Sequence, residues 1–195
     1  MKTISRLRYF LYLSILIVGC TTGKNALQKG NYDQSVFKSV DRLKSSPKNA
    51  EAMYVLPIAY DLALKEHLRK IEEDKISSNV LRWESILAHY QKINQLSDEV
   101  NSSPVALSIV KNPQKFMNEV EDSKFKAAEV RYALGVKQLS ENKRLSAKNA
   151  YYNFEKAQYF NPNYKDVNKK IEDAYWAAVI KVVVQPVRVI VAIIN

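Results

Sequence analysis

"AYYNFEKAQYFNPNYKD", residues 150–166, places Ala150, Phe154 and Ala157 at steps of four and three and then meets Pro162. Those steps keep the three side chains on one face of a helix. Two helices approach closely only where the facing side chains are small. Ala150 and Ala157 therefore mark a line of contact, and Phe154 fills the space between them. Proline lacks an N–H and restricts the residue before it, so the helix ends near Phe160 and the chain turns into a further element. The stretch predicts one arm of a helical hairpin.

The same reading extends outward along the chain. Only 4 Gly and 6 Pro occur in 195 residues, so long segments have nothing to interrupt a helix. From Asn49 to Ile76 the one breaker is Pro57, and Met53, Leu56, Tyr60, Leu64, Leu68 and Ile71 recur in steps of three and four. Ser77, Ser78 and Asn79 are capping types that mark a restart. Val80, Trp83, Leu87, Tyr90, Ile93 and Leu96 repeat the stepping, with Trp83 and Tyr90 assigned to the core. Ser103-Pro104 opens a short helix to about Lys111, and further helices are expected over about 113–139, over 146–160 and from about Tyr164. The body is expected to be all-α.

The first residues obey different rules. "MKTISRLRYFLYLSILIVGC" joins a basic start (Lys2, Arg6, Arg8) to an apolar run, Tyr9 to Val18, about half the roughly 20 residues a spanning helix needs. That is the pattern of a secretory signal. Its end, Ile17-Val18-Gly19-Cys20, resembles the lipobox of bacterial lipoproteins. The resemblance implies cleavage before Cys20, a lipidated Cys20 thiol and acylation of the new amine, with two or more acyl chains giving stable membrane anchoring. Cys20 is the chain's one cysteine, so the body has no disulfide and no thiol nucleophile or thiolate metal site. Thr21, Thr22, Gly23 and Lys24 follow without an acid. Acids after the cysteine direct some lipoproteins to the inner membrane or the cell surface. Without them the expected location in a Gram-negative host is the outer membrane, periplasmic face.

The net charge of +10 becomes +7 once residues 1–19 and their three basic side chains are removed. The excess is mostly lysine mixed with acids, as in "KEHLRKIEEDK", which reads as solvated helix faces rather than a nucleic-acid patch. His67 and His89 each stand alone on a helix without metal or catalytic spacing, and no glycine-rich loop could cradle phosphate. The sequence therefore gives no motif for catalysis, a metal or a cofactor.

"GNYDQSVFKSVDRLKSSPKNAEAMYVLPIAY", residues 30–60, resembles the tetratricopeptide (TPR) repeat family. Gly30, Asn31, Tyr32 and Asp33 match its inter-helix turn, Pro47 falls fifteen residues after Tyr32, and Met53, Leu56 and Tyr60 take the spacing of the next first helix. Ala150, Phe154, Ala157 and Pro162 match the family's Ala-Phe-Ala-Pro pattern. Leu134-Gly135 matches its Leu-Gly, and Trp83, Ile86 and Tyr90 offer a weaker match. Ser39 and Arg42 depart from the pattern where an aromatic and an alanine belong, and residues 61–76 lack a turn. The resemblance implies stacked antiparallel hairpins with a concave protein-binding surface. It places Tyr54, Ile58 and Asp61, then Glu129 and Tyr132, then Lys169, Asp173 and Trp176 on the inward stripe. Tyr54 and Ile58 stand where carboxylate-clamping members carry polar residues, so that ligand class is disfavoured.

The expected organisation is a signal peptide over 1–19, a lipid-anchored tether over 20–26, a TPR-like domain over 27–181 and a β-strand-like segment over 182–195. Val182 to Val184 and Val187 to Ile194 are β-branched and apolar. A strand needs neighbours, so this segment pairs with a partner or opens a β-containing domain this chain lacks. The expected function is a membrane-anchored periplasmic scaffold that binds a protein or peptide. The competing expectations are a structural subunit of an envelope secretion or motility machine, and the helical part of a longer lipoprotein whose activity lies elsewhere.

Overall fold

The computed structural model describes residues 23–180 and residue 182. Cys20, the expected lipobox and the expected strand-like segment from Val183 onward lie outside them. Among the described residues there are eight helices and no strand: α1 (Lys24–Gln28), α2 (Tyr32–Ser45), α3 (Ala50–Ile76), α4 (Arg82–Asn101), α5 (Pro104–Ile109), α6 (Met117–Leu139), α7 (Arg144–Phe160) and α8 (Val167–Ala178). The chain forms two compact units that divide within α6, after Ser123.

In the first unit α2, α3 and α4 run antiparallel in turn. Asn49 caps α3 by accepting the Ala52 N–H at 2.8 Å, and Ser103 caps α5 by accepting the Ala106 N–H at 3.3 Å. The core joins Val36, Val40 and Leu43 of α2 to Val55, Leu56 and Tyr60 of α3 and Leu96 and Val100 of α4. Alanines 52, 59 and 63 form the close line on α3, each at most 1% exposed. Met53, expected in the core, is 42% exposed, and Val80 is exposed as well. The buried stripe runs one position to the side of Met53, because helices touch along small residues and not along the bulkiest ones. Tyr90 is buried as expected, whereas Trp83 is half-buried, with the Arg82 guanidinium 5.9 Å from its ring centre.

Two segments differ from expectation for identifiable reasons. The helix expected from Pro113 begins at Met117. Asn112 has φ +56°, and residues 114–116 are tied to the core instead. The Tyr60 hydroxyl accepts the Gln114 N–H at 2.9 Å, Ser97 Oγ donates to the Gln114 carbonyl, and Asn94 Oδ1 accepts the Phe116 N–H at 2.7 Å. Residues 24–26, expected within a tether, are instead helical as part of Lys24–Gln28, and Gly23 is already packed. Ser35 Oγ donates to the Gly23 carbonyl at 3.0 Å, and a Cβ on Gly23 would meet the Ser35 carbonyl at 2.5 Å and Ser39 Oγ at 2.6 Å. This explains Ser39: a large aromatic there would occupy the space that the Gly23 backbone takes.

The second unit is a three-helix layer in which α6, α7 and α8 run antiparallel in turn. Ala150, Phe154 and Ala157 are fully buried, in one cluster with Val167 and Ala174 of α8. Tyr132, Leu139, Tyr151 and Ile171 pack around it. Pro162 lies in the exposed turn between α7 and α8, and α8 starts at Val167 because Lys165 takes φ +50°.

Candidate functional site

On α7 the buried face repeats at 147, 150, 154 and 157, which leaves Asn149, Tyr152, Asn153, Lys156 and Tyr159 on an adjacent face at the same helical spacing. On α6, Arg131 and Gln138 stand two turns apart and face the same way. Together with Glu155 they line an open cleft of about 630 Å³ within the second unit.

The cleft floor is a polar knot. Asn153 is buried, and its Oδ1 accepts from Arg131 Nη1 at 2.9 Å. Its Nδ2 donates to Gln138 Oε1 at 2.8 Å and to the Asn149 carbonyl at 3.2 Å. A buried amide with both ends engaged fixes the rotamers around it. The walls are aromatic and exposed: Tyr159 is 75% exposed and Tyr152 about half. The two stand seven residues apart, about 10 Å along the helix. Lys156 Nζ lies 5.5 Å from the Tyr159 ring centre and Lys148 Nζ 6.0 Å from that of Tyr152. Hydrogen bonding to Glu155 holds the Tyr151 hydroxyl above its ordinary pKa.

Beside the cleft an aromatic ladder crosses from α7 to α8. Ring centres lie 5.7 Å apart from Tyr152 to Tyr151, 6.2 Å from Tyr151 to Tyr175 and 5.2 Å from Tyr175 to Trp176. Tyr152, Tyr175 and Trp176 of this ladder are exposed. Such a surface offers large, stiff contact area of the kind that anchors interfaces.

The residues expected on an inward stripe divide between the units. Tyr54, 71% exposed, Ile58 and Asp61 lie on the outer side of α3, where Asp61 pairs with Lys65 at 2.7 Å. Glu129, Lys169, Asp173 and Trp176 are exposed on the second unit. Tyr132 differs from them. It packs edge-on to Phe154 and Tyr164, with ring centres 5.5 Å apart in both pairs, and its hydroxyl donates to Asp166. That hydrogen bond, followed by burial, raises the Tyr132 pKa to about 12, and the same bond lowers that of Asp166. Of the repeat-signature residues, Gly30 sits in the α1–α2 turn with φ +74°, Pro47 in the α2–α3 turn, and Tyr32 packs on the core of the first unit. Leu56 and Tyr60 are buried, and Gly135 lies against the Phe154 ring.

Two groups were not read from the sequence. The cleft floor of Arg131, Gln138 and Asn153 leaves one local signal, a polar Asn beside Phe154 in an apolar stripe. The histidines, read as isolated, are joined. His67 Nδ1 and His89 Nδ1 are 2.9 Å apart, and His67 Nε2 is 3.0 and 3.2 Å from the two carboxylate oxygens of Asp33. A cavity of about 240 Å³ opens beside His67 and Asp33. No group of three or more metal-ligating side chains occurs among the described residues, and no helix there is long and apolar enough to cross a membrane.

The chain matches no family model, and the comparisons with curated proteins and with solved structures find no match.

Proposed function

We propose that this chain is a membrane-anchored lipoprotein of the cell envelope whose TPR-like helical body holds a protein or peptide partner. The observation that carries the reading is the second unit's exposed aromatic surface beside a cleft with a fixed polar floor. Apolar rings left in water need an occupant, and amides held in place beside them supply direction. The hairpin packing of α6, α7 and α8 around Phe154 supports the TPR-like reading, because small residues meet an aromatic where that family places them. The anchor rests on Cys20 in its lipobox. Gly23 is packed, so only Thr21 and Thr22 separate it from Cys20, three residue steps or about 10 Å of extended chain. Lipidation at Cys20 would therefore hold the first unit against the membrane surface.

The test is site-specific photocrosslinking in intact cells, with benzoylphenylalanine at Tyr159, at Trp176 and at Tyr54. A discrete protein adduct from Tyr159 or Trp176 supports the assigned surface. An adduct from Tyr54 alone moves the partner to the first unit. No adduct at any of the three positions overturns the scaffold reading.

A further inference from the structure

The Asp33–His67–His89 chain ties α2, α3 and α4 together through a contact whose proton count is set by its geometry. Two imidazole Nδ1 atoms 2.9 Å apart are within hydrogen-bond distance, and a bond between them needs one proton, with one ring donating and the other accepting. His67 Nε2 faces the Asp33 carboxylate and must carry a proton to donate to it. With both rings neutral, His67 therefore has a bare Nδ1 and His89 carries its proton on Nδ1. One added proton is accommodated, because the pair then shares a single imidazolium charge across the same bond. A second leaves N–H facing N–H, and the contact must open.

We propose that Asp33, His67 and His89 form a one-proton clasp that closes the α2–α3–α4 bundle near neutral pH and opens in acid. The charges facing the pair are placed to set when this happens. Asp33 from α2 and Asp74 from α3 favour proton uptake, while Lys70 from α3 opposes it. Tyr32 and Glu66 line the adjoining cavity. The side chain of His67 is only 12% exposed, so water cannot freely replace the lost contact. Burial first, and then the neighbouring His67, lower the His89 pKa below its ordinary 6.5. A depressed histidine contributes stability that is present above its unfolded value and is lost as pH falls through the folded one. The first proton, which leaves the contact in place, is therefore taken up only below the ordinary histidine range and at a cost in stability, and the second, which opens the contact, is taken up below that again. This inference does not depend on the partner-binding reading of the second unit.

The test uses the full chain, with ¹⁵N-labelled histidine and amide hydrogen exchange. Near pH 8 the expected ring state is Nε2–H for His67 and Nδ1–H for His89. On lowering the pH from about 7.5 to 5, amides around Asp33, His67 and His89 should lose protection by about tenfold beyond the intrinsic pH effect, while those of α7 and α8 hold theirs. His89→Gln gives His67 Nδ1 a partner in either charge state, because the amide can turn to donate to a bare nitrogen or accept from a protonated one, so its protection should be insensitive to pH over this range. Two Nε2–H rings near pH 8, or two imidazolium rings with protection intact, would overturn the clasp. So would an equal pH response in His89→Gln. Should that variant fail to fold, the ring states and exchange of the parent chain decide the matter alone.

Discussion

Gly135 lies against the ring of Phe154 so closely that a Cβ at 135 would stand 2.6 Å from Cε1 and 2.8 Å from both Cδ1 and Cζ. The clash is with the edge of a fully buried aromatic and not with a movable side-chain end. Gly135→Ala gains up to about 1 kcal/mol of helix propensity but overpacks the core at a cost of about 1–3 kcal/mol. The variant should melt lower than the parent. Phe154→Ala should cost about 3–5 kcal/mol, and Ala157→Leu about 1–3 kcal/mol or more, since Ala157 has no exposed surface to expand into. Gly135→Ala combined with Phe154→Leu should lose less than the sum of the single changes, because the two sites share one space. Thermal and denaturant melts of the set check this, and additive losses would separate Gly135 from Phe154.

Gly23 should tolerate no substitution. Its φ of +87° disfavours any side chain, and the Ser35 carbonyl and Ser39 Oγ already fill the Cβ position. Gly23→Ala should detach α1 from α2 and expose the Gly23–Leu27 segment to protease while leaving the second unit folded. Gly30→Ala is the control: φ there is +74°, yet nothing lies within 4 Å of a Cβ, so its loss should be near the backbone strain alone, about 1 kcal/mol. Limited proteolysis with mass mapping distinguishes the two variants.

What the sequence made legible follows from how local each signal was. Ala150, Phe154, Ala157 and Pro162 lie within thirteen consecutive positions, so local pattern alone assigns burial to the first three and a turn to the fourth, and the structure agrees. The α3 face was read less well. Counting large apolar residues favoured Met53, while the close contact with neighbouring helices was made by Ala52, Ala59 and Ala63. Small residues carry little weight in a hydropathy pattern and much in helix packing. The clasp was not legible at all: Asp33 and His67 are separated by 34 positions, His67 and His89 by 22, and only the folded topology brings them together. The cleft is similar, since Arg131, Gln138 and Asn153 read as ordinary surface polar residues until α6 and α7 pair.

The Tyr132–Asp166 pair should give the second unit two titration limbs. Asp166 is depressed by its hydrogen bond from Tyr132, so its contribution is present above the ordinary carboxylate value and is lost as pH falls below about 4. Tyr132 is raised to about 12, so its contribution is present below the ordinary 10.0 and is lost as pH rises through about 12. Tyr151 is raised as well, so ultraviolet titration should show more than one late tyrosine, and Tyr132→Phe should remove the ionisation near 12. If all tyrosines of Tyr132→Phe and the parent titrate alike, the hydroxyl is not held by Asp166.

Lipidation is tested at the N-terminus itself. The resemblance of Ile17–Cys20 to a lipobox predicts a mature chain that begins at an acylated Cys20. Mass spectrometry of protein from the membrane fraction should show no residue before Cys20 and the added mass of acyl chains. Cys20→Ala should block processing or release the protein from the membrane. An unmodified N-terminus elsewhere would remove the anchor from the proposed function.

Four aromatic replacements separate surface from core. Tyr54 and Trp176 are exposed, so Tyr54→Ala and Trp176→Ala should leave stability within about 0.5 kcal/mol of the parent. Tyr132 packs on Phe154 and Tyr164 and anchors Asp166, so Tyr132→Ala should cost about 2 kcal/mol or more. Partner recovery gives the second axis. Trp176→Ala should reduce the protein that co-purifies from detergent-solubilised envelopes while the melt is unchanged, and Tyr159→Ala should do the same from the cleft wall. Tyr132→Ala should lower recovery only in proportion to the unfolded fraction, which a measurement at lower temperature would restore. Loss of folding in Trp176→Ala would place that ring in a core, and unchanged recovery in both Trp176→Ala and Tyr159→Ala would remove the second unit's aromatic surface as the partner's seat.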